Sequence, residues 1–274
     1  MQCQWMPHVS ERIVIWRSLM RVGFGQALAY RGQVAIFLLT ALFPLVMMTV
    51  WLSVVEEVGP TAGWDRQGFI SYYAVGAVVF QLTTSSIAWR WDDLVRTGEL
   101  SSLLLRPVSP LTQQVGLEVG QRVLSAALLV PVLVVATIAL PDLNVSGSVM
   151  NLILGVVALG GGYALTTAMA LTFAMVAFWS TQSGNLYALW WGAGAFLAGW
   201  IAPVSVLPPG LRRAAAILPF RSTVGLPIEL ILGRLDTAQI VVGMATLAGW
   251  LAAFTVAVRV LWSRGIKRHQ AVGG

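Results

Sequence analysis

The chain has 274 residues, of which 57% are hydrophobic and only 10% are charged, and its mean hydropathy is +0.79. Soluble domains carry about 25% charged residues, so this composition excludes an ordinary soluble enzyme or binding domain and indicates an integral membrane protein. The formal net charge is +6, and because the basic residues lie between apolar runs, membrane topology explains it better than nucleic-acid binding does.

The first predicted element is a helix over residues 10–30 that lies in the membrane interface. Its apolar residues recur at helical spacing, with Arg17 and Arg21 beside them. Charged residues interrupt this stretch and no small-residue cleavage site follows a short apolar core. We therefore expect no cleaved leader and insertion through the first spanning helix. The apolar stripe consists of Ile13, Trp16, Met20, Phe24 and Ala27.

Six apolar runs follow, each long enough to cross a bilayer. The fourth exceeds the bilayer thickness and is expected to tilt or protrude. Both termini then share one side with the loop between spans two and three. That side carries twelve Lys and Arg residues and the other side five, so the positive-inside rule places the termini in the cytoplasm. The predicted spans are 32–55, 69–89, 123–140, 149–179, 185–202 and 239–261.

A charged island at 90–110, hereafter the coupling segment, separates spans two and three. We expect Asp92 and Asp93 to pair with Arg96, and Arg96 with Glu99, on a helix surface. A short helix over 90–105 would lay leucines against the protein body, and prolines would stiffen the return to span three. Arg96 and Glu99 would face outward, and the residues expected to take part in coupling to a partner are Arg90, Asp92, Asp93, Arg96, Gly98, Glu99, Leu100, Leu104, Arg106, Pro107 and Pro110.

The coupling segment has two alternative interpretations. It could be a solvated loop without a partner. Asp92 and Asp93 could instead belong to a metal–diphosphate site of a membrane transferase, which would need further carboxylates at helical spacing.

Residues 203–238, between spans five and six, are apolar but broken by prolines. The pieces 211–218 and 226–233 are predicted as short helices of an outer re-entrant segment whose backbone groups are buried in protein. Its arginines would anchor the segment at the interface, or meet anionic lipid headgroups or an anionic substrate. They are Arg212, Arg213 and Arg221; the candidate outer-gate residues are Pro208, Pro209, Leu218, Pro219 and Phe220.

The centres of the predicted spans carry hydroxyl and amide groups instead of charges. Such groups usually bond to their own or a neighbouring helix, and the alternative is that they line a translocation path. The only histidines, His8 and His269, lie near opposite termini, which argues against a Ser–His pair or a histidine-ligated metal in the membrane. The candidate path residues are Gln81, Thr83, Thr84, Thr166 and Thr167.

No phosphate-cradling GxxxxGK[ST] motif occurs in these 274 residues, whose single lysine is Lys267. We therefore expect no cofactor and no catalytic site in this chain. If transport uses ATP, a separate subunit must bind the ATP and Mg²⁺ and hydrolyse the ATP.

The coupling segment resembles the cytoplasmic coupling segment of ABC type-2 exporter permeases, in which charges, a glycine, leucines and a Pro-x-x-Pro end follow span two. Its Arg-Thr-Gly-Glu-Leu form is similar to a less characterised branch of that family. Common drug and polysaccharide exporters have Arg-Glu-x-Gly-Thr instead, so their substrates do not carry over. The matching residues are Arg96, Gly98, Glu99, Leu100, Leu104, Pro107, Val108 and Pro110.

This resemblance implies an all-α polytopic membrane protein in which residues 1–274 form one permease domain of the bacterial cytoplasmic membrane. It implies a second permease subunit, identical or related, and two copies of an ATP-binding subunit. The uncharged span centres favour an amphipathic or lipid-linked substrate. The alternatives are a non-transporting scaffold that recruits a cytoplasmic partner and, less favoured, a membrane-embedded transferase.

Overall fold

The structure, a computed structural model, describes residues 9–29, 31–139, 148–180 and 183–272. Over these residues the chain folds into eleven α-helices and one short 3₁₀ turn, Val204–Val206. The helices are α1 (Val9–Ala29), α2 (Arg31–Val58), α3 (Arg66–Thr83), α4 (Ile87–Arg96), α5 (Glu99–Leu104), α6 (Pro110–Ala139), α7 (Val149–Val176), α8 (Ser183–Leu197), α9 (Pro209–Ile217), α10 (Gly225–Ile231) and α11 (Thr237–Val272).

Polar side chains next to the apolar runs define where several helices begin. The Ser148 hydroxyl accepts a hydrogen bond from the Asn151 amide at 3.2 Å at the start of α7. Before α11, Asp236 Oδ1 accepts from the Gln239 amide at 2.8 Å, and Gln239 Oε1 accepts from the Asp236 amide at 3.0 Å. This reciprocal capping box satisfies two amides that the first helical turn leaves without partners.

Helices α2, α7, α8 and α11 lie close to the predicted spans one, four, five and six, although α11 continues well past residue 261. Span three was predicted too short. Helix α6 already begins at Pro110, which occupies the first helical position, where its missing N–H costs nothing. Pro110 therefore belongs to the first turn of α6, and Pro107 lies in the turn before it. The predicted end at residue 140 lies outside the described residues.

The prediction of one continuous second span is also wrong. Helix α3 ends at Thr83, residues 84–86 are not helical, and α4 begins at Ile87. In the predicted outer re-entrant segment, the pieces 211–218 and 226–233 correspond to α9 and α10.

Within the described residues, two helices are long and apolar enough to cross a membrane. They are α7, with a mean hydropathy of 1.7, and the part of α11 up to Arg268, with a mean hydropathy of 2.0. The all-helical architecture agrees with a polytopic α protein, whereas the number of six crossings stays a prediction.

Helix α7 is the centre of the packing and contacts α3, α4, α8, α10 and α11. Small residues on it make this possible. A Cβ at Gly162 would lie 2.9 Å from the Thr223 carbonyl oxygen, and one at Gly161 would lie 2.8 Å from a Leu247 methyl carbon. These two glycines therefore permit close helix approach, whereas Gly160 faces open space.

Helix α1 packs along α6 through a reciprocal pair of glycines. A Cβ at Gly23 would lie 2.1 Å from the Leu117 carbonyl oxygen, and a Cβ at Gly120 would lie 2.2 Å from the Met20 carbonyl oxygen. Each glycine thus lies against the backbone of the other helix. The predicted interfacial helix is in this way fixed to the start of α6.

We expect Gly120→Ala to force α1 away from α6, because its new methyl group would overlap backbone atoms that cannot rotate aside. Overpacking of this kind costs about 1–3 kcal/mol. Thermal unfolding of the detergent-purified protein measures the loss. The matched control is Gly25→Ala on α1, where no atom lies within 4 Å of the new Cβ; equal melting temperatures for the two variants would contradict the packing argument.

Candidate functional site

The coupling segment consists of two short helices, α4 and α5, instead of the single helix predicted over 90–105. They are separated at Gly98, whose φ of +79° lies in the left-handed region. Residues with a side chain rarely adopt this conformation, whereas glycine does so readily. Gly98 therefore allows α5 to leave the direction of α4.

The leucines of α5 divide between the protein body and the surface. Leu100 and Leu103 are buried, and Leu100 packs in a cluster with Trp91, Met175 and Phe178. Leu104 is half-buried against the same cluster, whereas Leu105 is 89% exposed. One face of α5 is thus fixed to the body, and the opposite face is free to meet a partner.

The charged residues of the segment also differ in their surroundings. Arg96 Nη2 lies 2.9 Å from Asp93 Oδ1 in an exposed ion pair of the predicted i, i+3 kind. Asp92 was expected to pair with Arg96, and this is wrong, because Asp92 Oδ1 accepts a hydrogen bond from the Ser183 hydroxyl at 2.5 Å. The two neighbouring carboxylates therefore have separate partners. Glu99 is exposed in the first turn of α5.

The turn after α5 is tied to the beginning of α6 by Gln113. Its Nε2 donates to the Val108 carbonyl at 2.7 Å, and its Oε1 accepts from Arg106 Nη1 at 3.3 Å. Pro107 is exposed in this turn. A force applied to the segment would therefore reach α6 directly.

A buried ion cluster, hereafter the Glu118 junction, joins the coupling segment to the body. The Glu118 carboxylate of α6 is 0% exposed. Arg90 Nη2 of α4 lies 3.1 Å from Glu118 Oε2, and Arg122 Nη2 lies 3.6 Å from Glu118 Oε1. The Ser85 hydroxyl donates to the same carboxylate at 3.2 Å, and the Ser86 amide donates at 2.8 Å. One carboxylate thus binds groups from α4, α6 and the helix break.

The Glu118 junction explains why the second apolar run is interrupted. Arg122 Nη1 donates to the Gln81 carbonyl at 3.0 Å and to the Thr84 hydroxyl at 2.9 Å. In a continuous helix, backbone groups such as the Gln81 carbonyl and the Ser86 amide would bond to other backbone groups. Here Arg122 and Glu118 supply their hydrogen-bond partners instead. Sequence reasoning missed Glu118, although its i, i+4 spacing to Arg122 within an otherwise uncharged helix was a usable signal.

The candidate path residues mostly form the hydrogen bonds expected of packing residues. The Thr83 hydroxyl donates to the Val79 carbonyl of its own helix at 2.8 Å. Gln81 Nε2 donates to the Thr40 hydroxyl of α2 at 3.3 Å. Thr166 and Thr167 are both buried on α7.

A cavity of about 30 Å³ nevertheless brings several of these residues together. It contains candidate path residues from α3 and α7 and one candidate gate residue, surrounded by indole rings. Gln81 and Thr167 do not line it. Such a volume holds about two water molecules, so it is far too small for an amphipathic substrate. Its lining includes Thr83, Thr84, Thr166, Phe220, Trp190, Trp191 and Trp200.

The remaining gate candidates lie at the opposite end of the helices from the coupling segment. Pro208 and Pro209 are exposed, Leu218 is half-buried and Pro219 is buried. Arg221 forms an ion pair with Glu229 of α10. Burial raises the pKa of the Glu229 carboxyl, and the Arg221 guanidinium lowers it in part. This pair fixes α10 to the turn that precedes it.

A family model described as ABC-2 family transporter protein matches residues 36–273. The matched region contains the coupling segment, the Glu118 junction and the residues that line the 30 Å³ cavity. No curated protein matches the sequence.

Proposed function

Because this chain belongs to the ABC-2 family of transporter proteins, whose members are membrane-embedded permease subunits that associate with an ATP-binding subunit, we propose that it exports an amphipathic or lipid-linked substrate. The membrane would be the bacterial cytoplasmic membrane. The complex would contain two permease chains, identical or related, and two ATP-binding subunits that hydrolyse ATP. The observation that carries this proposal is the Glu118 junction, which connects the exposed coupling segment to the helices of the body.

The proposed topology has six crossings, by α2, α3, α6, α7, α8 and α11, with α1 in the inner interface. Helix α3 has 18 residues and is therefore about 27 Å long, close to the thickness of the hydrocarbon core. The break at 84–86 would then lie at the cytoplasmic boundary, where α4 and α5 leave the membrane. The twelve-to-five distribution of basic residues supports cytoplasmic termini.

The proposed coupling step begins at the exposed face formed by Arg96, Glu99 and Leu105. An ATP-binding subunit docked there would push or pull α5 when it binds ATP. Leu100 would transmit this movement to the body, and Arg90 would transmit it to Glu118 of α6. The outcome would be a shift between two packings of the spanning helices.

The substrate class follows from what the central cavity offers. Hydroxyl groups and aromatic rings tolerate apolar cargo and present no charge to bind a bare ion. Since the cavity has a volume of only about 30 Å³, passage would require α3, α7 and α8 to separate.

The test of the proposal is Glu99→Arg in the co-expressed complex. Reversing this exposed charge should reduce the amount of ATP-binding subunit that co-purifies, and ATPase activity per permease should fall by about tenfold, which corresponds to about 1.4 kcal/mol of lost docking free energy. The matched control is Glu57→Arg, also an exposed glutamate, at the far end of α2, which should leave both quantities unchanged. Full co-purification and ATPase activity in Glu99→Arg would refute docking at this face.

A further inference from the structure

A cavity of about 590 Å³ lies at the end of the helices opposite the coupling segment. Its walls come from five parts of the chain: the turn before α3, the 3₁₀ turn, α9, the region from Arg221 to α10, and the start of α11. Small-molecule sites commonly have volumes of about 300–1,000 Å³. This cavity is thus large enough for a headgroup with part of its attached chain.

The charge of the cavity is strongly one-sided. Arg212, Arg221 and Arg234 line it together with a single acidic residue, Glu229, which gives an excess of two positive charges. Arg221 is the arginine that pairs with Glu229. Within the described residues, Arg212 and Arg234 have no carboxylate oxygen within 4.0 Å, so the charges of these two guanidinium groups are not neutralised by an ion pair.

Both of these arginines are held by contacts that leave part of each guanidinium available. Arg234 lies over the Trp64 ring, with its Cζ 4.6 Å from the ring centroid, and its Nη1 donates to the Gly63 carbonyl at 3.2 Å. Arg212 Nη2 donates to the Leu207 carbonyl at 3.2 Å. A planar guanidinium has five N–H donors that fit the geometry of phosphate oxygens. Each of the two guanidinium groups therefore keeps N–H donors for a phosphate oxygen.

The rest of the lining suits a molecule that is polar at one end and apolar at the other. Ser205 and Gln239 add neutral hydrogen-bonding groups, whereas Val204, Leu235 and Val242 present apolar surface. A free inorganic ion would leave this apolar surface unused. A phosphate that carries a hydrocarbon chain would use both parts of the cavity.

We propose that this cavity binds the phosphate headgroup of an anionic amphiphile through Arg212 and Arg234. The inference rests on the proposed function, because it requires this end of the protein to face the outer leaflet. The amphiphile is an anionic phospholipid of that leaflet or a phosphate-bearing exported substrate. The two sources share the same binding chemistry.

The probe is phosphatidylglycerol. The purified complex with its ATP-binding subunit is equilibrated, without nucleotide, in micelles with equal amounts of phosphatidylglycerol and phosphatidylcholine, and native mass spectrometry counts the retained lipids. The double variant R212Q/R234Q should lower the retained ratio of phosphatidylglycerol to phosphatidylcholine by about tenfold or more, since both charge-assisted sets of hydrogen bonds to the phosphate are lost. The charge-preserving variant R212K/R234K should keep only part of the selectivity, because lysine retains the charge but lacks the planar set of N–H donors.

The matched control is Arg213→Gln, which removes an exposed arginine next to Arg212 that does not line the cavity. It should leave the ratio unchanged. An equal loss in Arg213→Gln, or full selectivity in R212Q/R234Q, would overturn the proposal. Added inorganic phosphate distinguishes the two possible sources of the amphiphile. Displacement of the lipid shows that the phosphate alone is recognised, as for an exported substrate with another apolar part. Retention of the lipid shows that the intact phospholipid is the ligand.

This binding experiment involves neither ATP nor transport. If the wild-type protein showed no preference for phosphatidylglycerol, the headgroup site would be refuted. That result would not affect the docking test with Glu99→Arg. Conversely, failure of the docking test would leave the lipid measurement interpretable, because the cavity does not depend on the ATP-binding subunit.

Discussion

Glu118→Ala is expected to lower the free energy of unfolding by about 3–5 kcal/mol, the cost of leaving buried charges without their partner. Arg90 and Arg122 would both lose the fully buried carboxylate that lies 3.1 Å and 3.6 Å from them. The Ser86 amide would lose its acceptor at the same time. Denaturant unfolding in detergent, followed by tryptophan fluorescence, measures this loss.

The control for this prediction is Glu56→Ala, which removes the acidic member of another Glu–Arg pair. Glu56 pairs with Arg66, but both side chains are more than half exposed, so the expected loss is below about 1 kcal/mol. Similar losses in the two variants would show that the Glu118 junction is not a buried ion cluster. A triple change of Arg90, Glu118 and Arg122 to methionine or leucine removes the unpaired charges but leaves the Ser86 amide and the Gln81 carbonyl without these partners. It should therefore recover only part of the stability, and it should still abolish coupling, because the ion pair between α4 and α6 is gone.

The second large effect is expected for Gly98→Val. A left-handed backbone costs a residue with a side chain roughly 1–2 kcal/mol, and a β-branched side chain makes the conformation still less accessible. Relief of this strain would turn α5 away from α4 and pull Leu100 out of its cluster. We expect ATPase activity of the complex to fall by about tenfold, equivalent to about 1.4 kcal/mol, while the permease itself remains folded.

Gly59→Val provides a control of nearly equal strain. Gly59 has a φ of +85°, and a Cβ added at either glycine would have no atom within 4 Å. Both variants should therefore lose similar stability, and only Gly98→Val should lose ATPase coupling. An equal loss of coupling at both positions would mean that backbone strain anywhere in the chain impairs the complex, and the special role of the coupling segment would be wrong.

The features that could be predicted from the sequence are those that depend on local pattern. The apolar runs of α7 and α11 stand out by length and hydropathy alone. Proline interrupts a helix whatever its tertiary surroundings. The positions of α9 and α10 could therefore be predicted from the prolines that flank them. The exposed position of Glu99 and the burial of Leu100 follow from an amphipathic helix.

The features that could not be predicted depend on contacts between distant parts of the chain. The hydropathy pattern predicted one continuous helix over residues 69–89. In the structure, Glu118 and Arg122 supply other hydrogen-bond partners to residues 84–86. The sequence around 84–86 contains no sign of these contacts, because both partners lie more than 30 residues away. Asp92 had a basic residue four positions away, yet its partner is Ser183, 91 residues later. The left-handed backbone conformation of Gly98 likewise becomes evident only when the directions of α4 and α5 are known.

The small central cavity has a consequence for the movement of protons. A void of about 30 Å³ accommodates about two water molecules, which cannot form a continuous hydrogen-bonded file from one face of the bilayer to the other. Proton movement through this void would therefore require α3, α7 and α8 to separate first, which is the same movement that passage of a substrate requires.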